Sequence, residues 1–214
     1  MSKKHFLALP VTGDTFAEVR EKNRYYVDKT PYLKAVFSED EAVDDKSLID
    51  GTTVLLLTRP RRFGKTLLMN MFESFLNINY EKPGDTTIHQ SYFKDTKIFE
   101  EQKFCKKYMG QFPVISITLK DVLGDDFESA YLKLAEVVSA KANEFSFLKE
   151  SPYLNEMEKA KFNLLCDEIY LKKADKQAIS YVTSAIKSLS LMLYKHFNKQ
   201  VYILIDEYDV PLAK

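Results

Sequence analysis

A run of eight residues, 59–66, places three arginines, a glycine, a lysine and a threonine between an apolar stretch and a helical pattern. Residues 54–57 are all apolar, as expected of a strand that is covered on both faces. After Thr66, apolar residues recur at helical spacing, which predicts a helix that starts near Gly64. The N-terminus of a helix offers unpaired N–H groups and a partial positive charge, and both stabilise an anion. The stretch therefore predicts a phosphate-binding loop between a strand and a helix.

The residues of this loop have types that suit a nucleotide triphosphate and Mg²⁺. Gly64 lets the backbone approach a phosphate, Lys65 can reach the β- and γ-phosphates of ATP, and the Thr66 hydroxyl can bind Mg²⁺. The candidate nucleotide-binding residues are Arg59, Pro60, Arg61, Arg62, Phe63, Gly64, Lys65, Thr66 and Leu67. The usual phosphate loop has glycine at the position of Arg59, and arginine avoids the positive φ that glycine tolerates. A cationic loop that opens an ordinary helix is the alternative.

A second motif lies near the other end of the chain. Residues 201–205 form an apolar, largely β-branched and aromatic run that ends in Asp206 and Glu207, which is the form of a Walker B strand. Since a buried parallel strand presents its carboxyl end to the ligand crevice, both acids would face the phosphates. Asp206 would hold Mg²⁺, directly or through water, together with Thr66. Glu207 would act on the attacking water as a general base or by orienting it, and Lys65 and Glu207 are the candidate catalytic residues. A core strand followed by a solvated acidic turn is the alternative.

Three segments of the chain together resemble the predicted AAA-ATPase-like proteins of bacteria. These are residues 25–30 (Tyr-Tyr-Val-Asp-Lys-Thr), 57–67 and 204–212, and the resemblance spans about residues 9–212. In that family the loop commonly reads Arg-Pro-Arg-Arg-Phe-Gly-Lys-Thr, so the resemblance implies that the missing glycine is normal there. It also implies a P-loop ATPase domain that is usually followed by a restriction-like PD-(D/E)XK nuclease domain.

The fold that the resemblance implies is an α/β P-loop NTPase, with three αβα layers, a mostly parallel sheet and a helical insertion before Walker B. In the additional-strand form of this fold, one more strand follows Walker B in the sequence. In the sheet it lies between the Walker B strand and the strand before the phosphate-binding loop (the Walker A strand), and it ends in a polar sensor residue. Only residues 208–214 follow Walker B here, so we expect an incomplete sheet and an N-terminal part of a longer protein. An open slot between strands exposes unpaired backbone and apolar surface, which leads us to expect poor activity or self-association.

The chain is expected to contain two regions. Residues 1–50 would be an N-terminal segment that packs on the ATPase core, and residues 51–214 would be the core, with a helical insertion at 120–200. A second strand is predicted at 112–119, and Asp125 or Asp126 would cap the helix that follows it. Further helices are predicted at about 154–171 and 176–197. An acidic loop is predicted at 39–50, and residues 77–109 are predicted to be packed but irregular.

The segment before the loop supplies further candidates. Tyr25, Tyr26 and Lys29 could contact the base or the phosphates, while core or interface packing is the alternative for the tyrosines. Asp28 and Thr30 are candidate caps for a helix with Pro31 in its first turn.

The five arginines bear on how hydrolysis would be accelerated. They are Arg20, Arg24, Arg59, Arg61 and Arg62. An arginine finger could come from any of the four outside position 59, from a region beyond this chain, or from another subunit, and we favour the last two sources. Arg61 and Arg62 would bind nucleotide or brace neighbouring acids, or be solvated loop cations.

The composition of the chain limits the kinds of partner that it is expected to bind. Lysine plus arginine equals aspartate plus glutamate at 31 each, with a pI near 6.8, so no overall charge favours nucleic acid. Nucleic acid would bind only through a further C-terminal domain. The apolar stretches are far shorter than the ~20 residues that span a bilayer, so we expect a cytoplasmic protein with no membrane partner. The two cysteines and three histidines are scattered, and they indicate neither a disulfide framework nor a zinc site.

Mg²⁺-dependent ATP binding and hydrolysis is the function that these features favour, with the ATPase driving or regulating a C-terminal effector. The alternative from another class is a nucleotide-binding switch or scaffold that hydrolyses little. A small-molecule kinase is a distant third, because no substrate pocket or basic lid can be located in the sequence.

Overall fold

The computed structural model describes residues 7–11, 13–37, 54–58 and 63–210. The chain divides into two compact units, residues 1–111 and 112–214, and each is described by itself. The predicted division between residues 50 and 51 stays a prediction, because residues 38–53, including the acidic stretch 39–50, lie outside the described part.

The first unit is built from short helices around an aromatic core. Its helices are α1 Phe16–Glu21, α2 Pro31–Phe37, α3 Lys65–Leu76, α4 Thr87–Phe93, α5 Lys97–Glu100 and α6 Gln102–Tyr108. Phe16, Phe75 and Phe93 are fully buried, and the Phe93 ring lies 4.9 Å from that of Phe16 and 5.2 Å from that of Phe75. Because these rings come from α1, α3 and α4, their burial fixes the N-terminal segment against the helix that follows the predicted loop.

Helix α1 is a feature that the sequence reasoning missed. The Thr15 hydroxyl accepts a hydrogen bond from the Glu18 N–H at 3.2 Å, and the Glu18 carboxylate accepts one from the Thr15 N–H at 2.9 Å. This is a capping box. The backbone hydrogen bond from Thr15, with those from Lys22 and the Thr15 hydroxyl, lowers the pKa of Glu18 to about 2. The signal, threonine followed three residues later by glutamate, is present in the sequence.

The second unit combines helices with a small parallel sheet. Its elements are β1 Val114–Thr118, α7 Phe127–Glu144, a 3₁₀ helix Ser146–Glu150, α8 Glu156–Cys166, α9 Glu168–Leu171, α10 Lys176–Thr183, α11 Ala185–Phe197 and β2 Tyr202–Asp206. β1 and β2 pair in parallel, with Val114 opposite Tyr202 and Thr118 opposite Asp206. A parallel pair needs a long crossover, and here the crossover consists of helices that bury residues such as Phe162 and Leu165.

Several predicted elements are confirmed in this unit. β1 and β2 lie where the second strand and the Walker B strand were predicted. Asp126 is the N-cap of α7, since its carboxylate accepts the Ser129 N–H at 2.8 Å. The two long helices that were predicted after it are each interrupted. Asp167 starts a new helix by accepting the Tyr170 N–H at 2.9 Å, and Ser184 separates α10 from α11.

Two predictions in the first unit are wrong. Residues 77–109 are not irregular, because they contain α4, α5 and α6, each of seven residues or fewer and therefore too short to show a clear periodicity. Residues 54–58 form no strand, and their side chains are not covered, with Val54 77% and Leu56 59% exposed. A strand needs hydrogen-bonding neighbours, and the sheet of the described residues consists of β1 and β2.

The described fold is thus a mixture of helices and strands with a two-stranded parallel sheet. In the described ranges, no helix combines the length and apolar character needed to cross a membrane.

Candidate functional site

Helix α3 begins where the loop sequence predicts. Gly64 is its N-cap with φ +73° and ψ 36°, and the Gly64 carbonyl accepts the Leu68 N–H at 2.9 Å. This left-handed conformation suits glycine, which carries no Cβ. The predicted helix start is therefore confirmed, and the N-terminal N–H groups of a twelve-residue helix belong to the candidate phosphate-binding residues.

The candidate residues of the loop are only partly described. Arg59, Pro60, Arg61 and Arg62 lie outside the described residues. Phe63 and Thr66 are exposed, whereas Gly64, Lys65 and Leu67 are half-buried. The first turn of α3 thus presents Thr66 to solvent and leaves Lys65 only partly exposed.

Lys29 is brought to this loop from 34 residues earlier in the chain. Its ammonium donates a hydrogen bond to the Phe63 carbonyl at 3.1 Å. A Cβ placed on Gly64 would meet the same nitrogen at 3.2 Å. Among the residues that the structure describes, Lys29 is the candidate of the segment 25–30 that has a hydrogen bond to the predicted loop.

Tyr26 is positioned for packing. Its hydroxyl donates to the Met71 Sδ atom of α3 at 3.2 Å and accepts the Lys29 N–H at 3.2 Å. Its ring meets the buried Phe16 ring edge-on at 5.3 Å. Burial raises the pKa of Tyr26 to about 12, so the hydroxyl keeps its proton. Tyr26 thus has the packing role that was the alternative, whereas Tyr25 is exposed.

Asp28 and Thr30 cap a different helix from the one expected. α2 does start at Pro31, as predicted. The Asp28 Oδ2 atom, however, accepts the Lys97 N–H at 2.8 Å, and the Thr30 hydroxyl accepts the Ile98 N–H at 3.2 Å. These are the first two residues of α5, so the side chains join the segment before α2 to a helix far along the chain. Sequence spacing could not show this, because the partners lie 68 or 69 positions away.

The acidic pair follows β2 as predicted. Asp206 is the last residue of the strand, its carbonyl accepts the Leu119 N–H at 3.0 Å, and it is 9% exposed. Its Oδ1 atom accepts the Glu207 N–H at 3.0 Å. Glu207 is half-buried and has φ +53°, a left-handed conformation that turns the chain at the strand end. The burial of Asp206 differs from the solvated acidic turn that was the alternative.

The candidate residues fall in both units. Lys65 and Thr66 belong to the first, and Asp206 and Glu207 belong to the second. Their meeting around one nucleotide stays a prediction.

The donor set fits Mg²⁺ by its chemistry. Thr66 and Asp206 offer a hydroxyl and a carboxylate, which are oxygen ligands of the kind that Mg²⁺ takes together with phosphate oxygens and water. Within the described ranges, no group of three or more His, Cys, Asp or Glu side chains is placed to hold a metal. A site completed by phosphates does not need such a group.

Two arginines of the first unit have structural partners. Arg20 donates through Nε to the Tyr92 carbonyl at 2.6 Å, and its guanidinium lies 3.8 Å from the Asp95 carboxylate. Arg24 lies 3.3 Å from the Asp14 carboxylate and donates to the Leu9 carbonyl at 3.2 Å. These contacts weigh against either residue as an arginine finger.

The chain belongs to a family of predicted ATPases: the family model described as Predicted AAA-ATPase matches residues 10–214. The match includes both the loop that opens α3 and the acidic pair that ends β2. Neither the curated proteins nor the solved structures give a significant match. Family membership supports nucleotide binding in general.

Proposed function

We propose that this protein binds and hydrolyses ATP with Mg²⁺, as a AAA-like ATPase with a three-layer P-loop fold. The observation that carries the proposal is that Gly64, Lys65 and Thr66 open a twelve-residue helix in a chain of the predicted AAA-ATPase family. The parallel pairing of β1 with β2, which are joined by a helical crossover, supports the fold. As the family resemblance implies, hydrolysis would drive or regulate an effector.

In this proposal each group acts through charge and position. The N–H groups at the start of α3 and the Lys65 ammonium would hold the β- and γ-phosphates. Thr66 and Asp206 would hold Mg²⁺, which neutralises phosphate charge when it is bound. The Glu207 carboxylate would orient the attacking water or take its proton.

Phosphate release and ATP affinity, measured on the same preparations, test the proposal. Lys65→Ala should weaken ATP binding by at least about tenfold, because a charge-assisted contact to phosphate is lost. Glu207→Gln should keep ATP bound while phosphate release falls about 100-fold. Matched controls are Lys82→Ala and Glu128→Gln, which change exposed residues. Wild-type protein that binds neither ATP nor GTP would overturn the proposal.

A nucleotide-dependent switch with little hydrolysis is the second candidate. It is favoured by the contacts of Arg20 and Arg24, since both side chains have structural partners. A switch would bind ATP as tightly as an ATPase, but phosphate release would be slow and would not change with Glu207→Gln.

A further inference from the structure

The contact between Lys29 and the loop lies at the peptide that joins Phe63 to Gly64. The Lys29 ammonium donates to the Phe63 carbonyl at 3.1 Å and occupies the space beside Gly64 that a side chain would need. This peptide ends at Gly64, the N-cap of α3, so its orientation decides where the Gly64 N–H points.

The backbone of Lys29 is itself held in place. Tyr26 accepts the Lys29 N–H and also contacts Met71 of α3 through the same hydroxyl. On the other side of Lys29, the Thr30 hydroxyl donates to Asp28 at 2.7 Å. With Asp28 also bound to the Lys97 N–H, Lys29 is fixed relative to both α3 and α5. The ammonium therefore reaches the loop from an anchored segment.

The geometry of the peptide bond then links Lys29 to the site. In a trans peptide, C=O and N–H point in opposite directions. A lysine that holds the Phe63 carbonyl on its own side therefore directs the Gly64 N–H to the other side of the loop. We propose that Lys29 is a positioning residue of the nucleotide site, which orients the Phe63–Gly64 peptide so that the Gly64 N–H points at a bound phosphate. This inference rests on the proposed function.

The charge of Lys29 supports the same role. Its acceptor among the described residues is a neutral carbonyl, while the neighbouring Asp28 carboxylate is occupied by N–H and O–H donors. The ammonium lies beside the N-terminus of α3, which carries partial positive charge. An anion bound there relieves the repulsion between these charges. A polyphosphate is therefore favoured over a neutral ligand such as adenosine.

Calorimetric titration of the full chain with MgATP, MgADP and adenosine tests the proposal. Lys29→Met keeps much of the side-chain length but removes the charge and the donors, so affinity for ATP and ADP should fall about 10- to 100-fold. Affinity for adenosine should not change. Lys29→Arg retains charge and donors and should stay within about threefold of wild type. Lys34→Met, which removes an exposed ion pair with Glu101 in the same unit, is the matched control.

A purely structural role would give a different pattern. If Lys29 acts by orientation, the nucleotide-free Tm of Lys29→Met stays at the wild-type value, and the NMR signal of the Gly64 amide shifts. Failure of Lys29→Met to fold, or an equal loss of affinity with Lys29→Arg, would overturn the proposal. ATP affinity unchanged in Lys29→Met but lost in Lys65→Ala would overturn it while leaving the ATPase proposal intact. Wild-type protein that binds no nucleotide would overturn both.

Discussion

Replacing Asp28 with asparagine changes a carboxylate that uses both of its oxygens. Oδ1 accepts the Thr30 N–H at 2.9 Å and the Thr30 hydroxyl at 2.7 Å, and Oδ2 accepts the Lys97 N–H at 2.8 Å. An asparagine amide has one acceptor oxygen and one NH₂ group. In either orientation of the amide, NH₂ faces an N–H donor. Asp28→Asn should therefore loosen the link between the segment before α2 and the start of α5.

The cost follows from the strength of charge-assisted hydrogen bonds. A hydrogen bond to a charged group contributes about 1.5–3 kcal/mol net. Asp28 is half-exposed, so solvent screening reduces this value. We expect a loss of about 2 kcal/mol in the free energy of unfolding, which lowers the Tm of the first unit by about 9 °C.

Thermal unfolding followed by hydrogen exchange measures this effect. Exchange in peptides covering residues 26–37 and 94–108 reports on the first unit, because the two units can unfold in separate transitions. Asp85→Asn is the matched control, since Asp85 Oδ1 accepts the Thr87 N–H at 2.9 Å in an exposed turn and asparagine keeps an oxygen for that bond. Equal changes in Tm for both variants would refute the reasoning.

The effect should also depend on pH. Burial raises the pKa of Asp28, but hydrogen bonds from Lys97 and Thr30 outweigh it, so the pKa lies below the ordinary 3.8. A lowered folded-state pKa means that the charged carboxylate stabilises the fold above the unfolded-state pKa, and that this stability is lost as pH falls through the folded value. The difference in Tm between wild type and Asp28→Asn should therefore be full at neutral pH and shrink below pH 3.8.

Two paired substitutions test other parts of the structure. Gly64→Ala should cost about 1–2 kcal/mol for its positive φ, and it should weaken ATP binding in calorimetry because the new Cβ meets the Lys29 ammonium. Gly84→Ala is the control: its φ is +94° and its new Cβ would meet no atom within 4 Å, so this variant should carry the backbone cost alone. Unchanged ATP affinity in Gly64→Ala would contradict the prediction. Tyr131→Phe should cost about 1 kcal/mol in urea unfolding, because its hydroxyl donates to an α9 carbonyl at 2.8 Å. Tyr170→Phe should leave the free energy of unfolding unchanged, since the buried Tyr170 hydroxyl has no partner in the described part of the chain. A larger loss of stability in Tyr170→Phe than in Tyr131→Phe would count against this reasoning.

Local signals explain which elements could be predicted from sequence. The start of α3, the Asp126 cap and the end of β2 each depend on residue types within a few positions of one another. Helix α1 has an equally local signal in its capping box and could have been found. The short helices of residues 77–109 could not, because they depend on partners far along the chain: Phe93 of α4 packs on Phe16, and Asp28 accepts the first N–H of α5.

The candidate site divides in the same way. The loop at Gly64 and the pair at Asp206 were predictable because phosphate and metal chemistry demand particular residue types in sequence. The hydrogen bond from Lys29 to Phe63 could be offered only as a candidate contact with phosphate, since nothing in the sequence indicates which atom 34 positions later accepts the bond. For the same reason, Asp28 was expected to cap the next helix and instead binds Lys97.

The pairing of β1 with β2 sets an order of events during synthesis. Partners in the register, such as Thr118 and Asp206, are 88 positions apart (206 − 118). At about 5–20 residues per second on the ribosome, β1 waits about 5–20 s for its neighbour. Helices α7 to α11 are synthesised in this interval, since all of them lie between β1 and β2 in the chain. The nascent protein therefore has these helices available to shield β1 before its partner strand has been made.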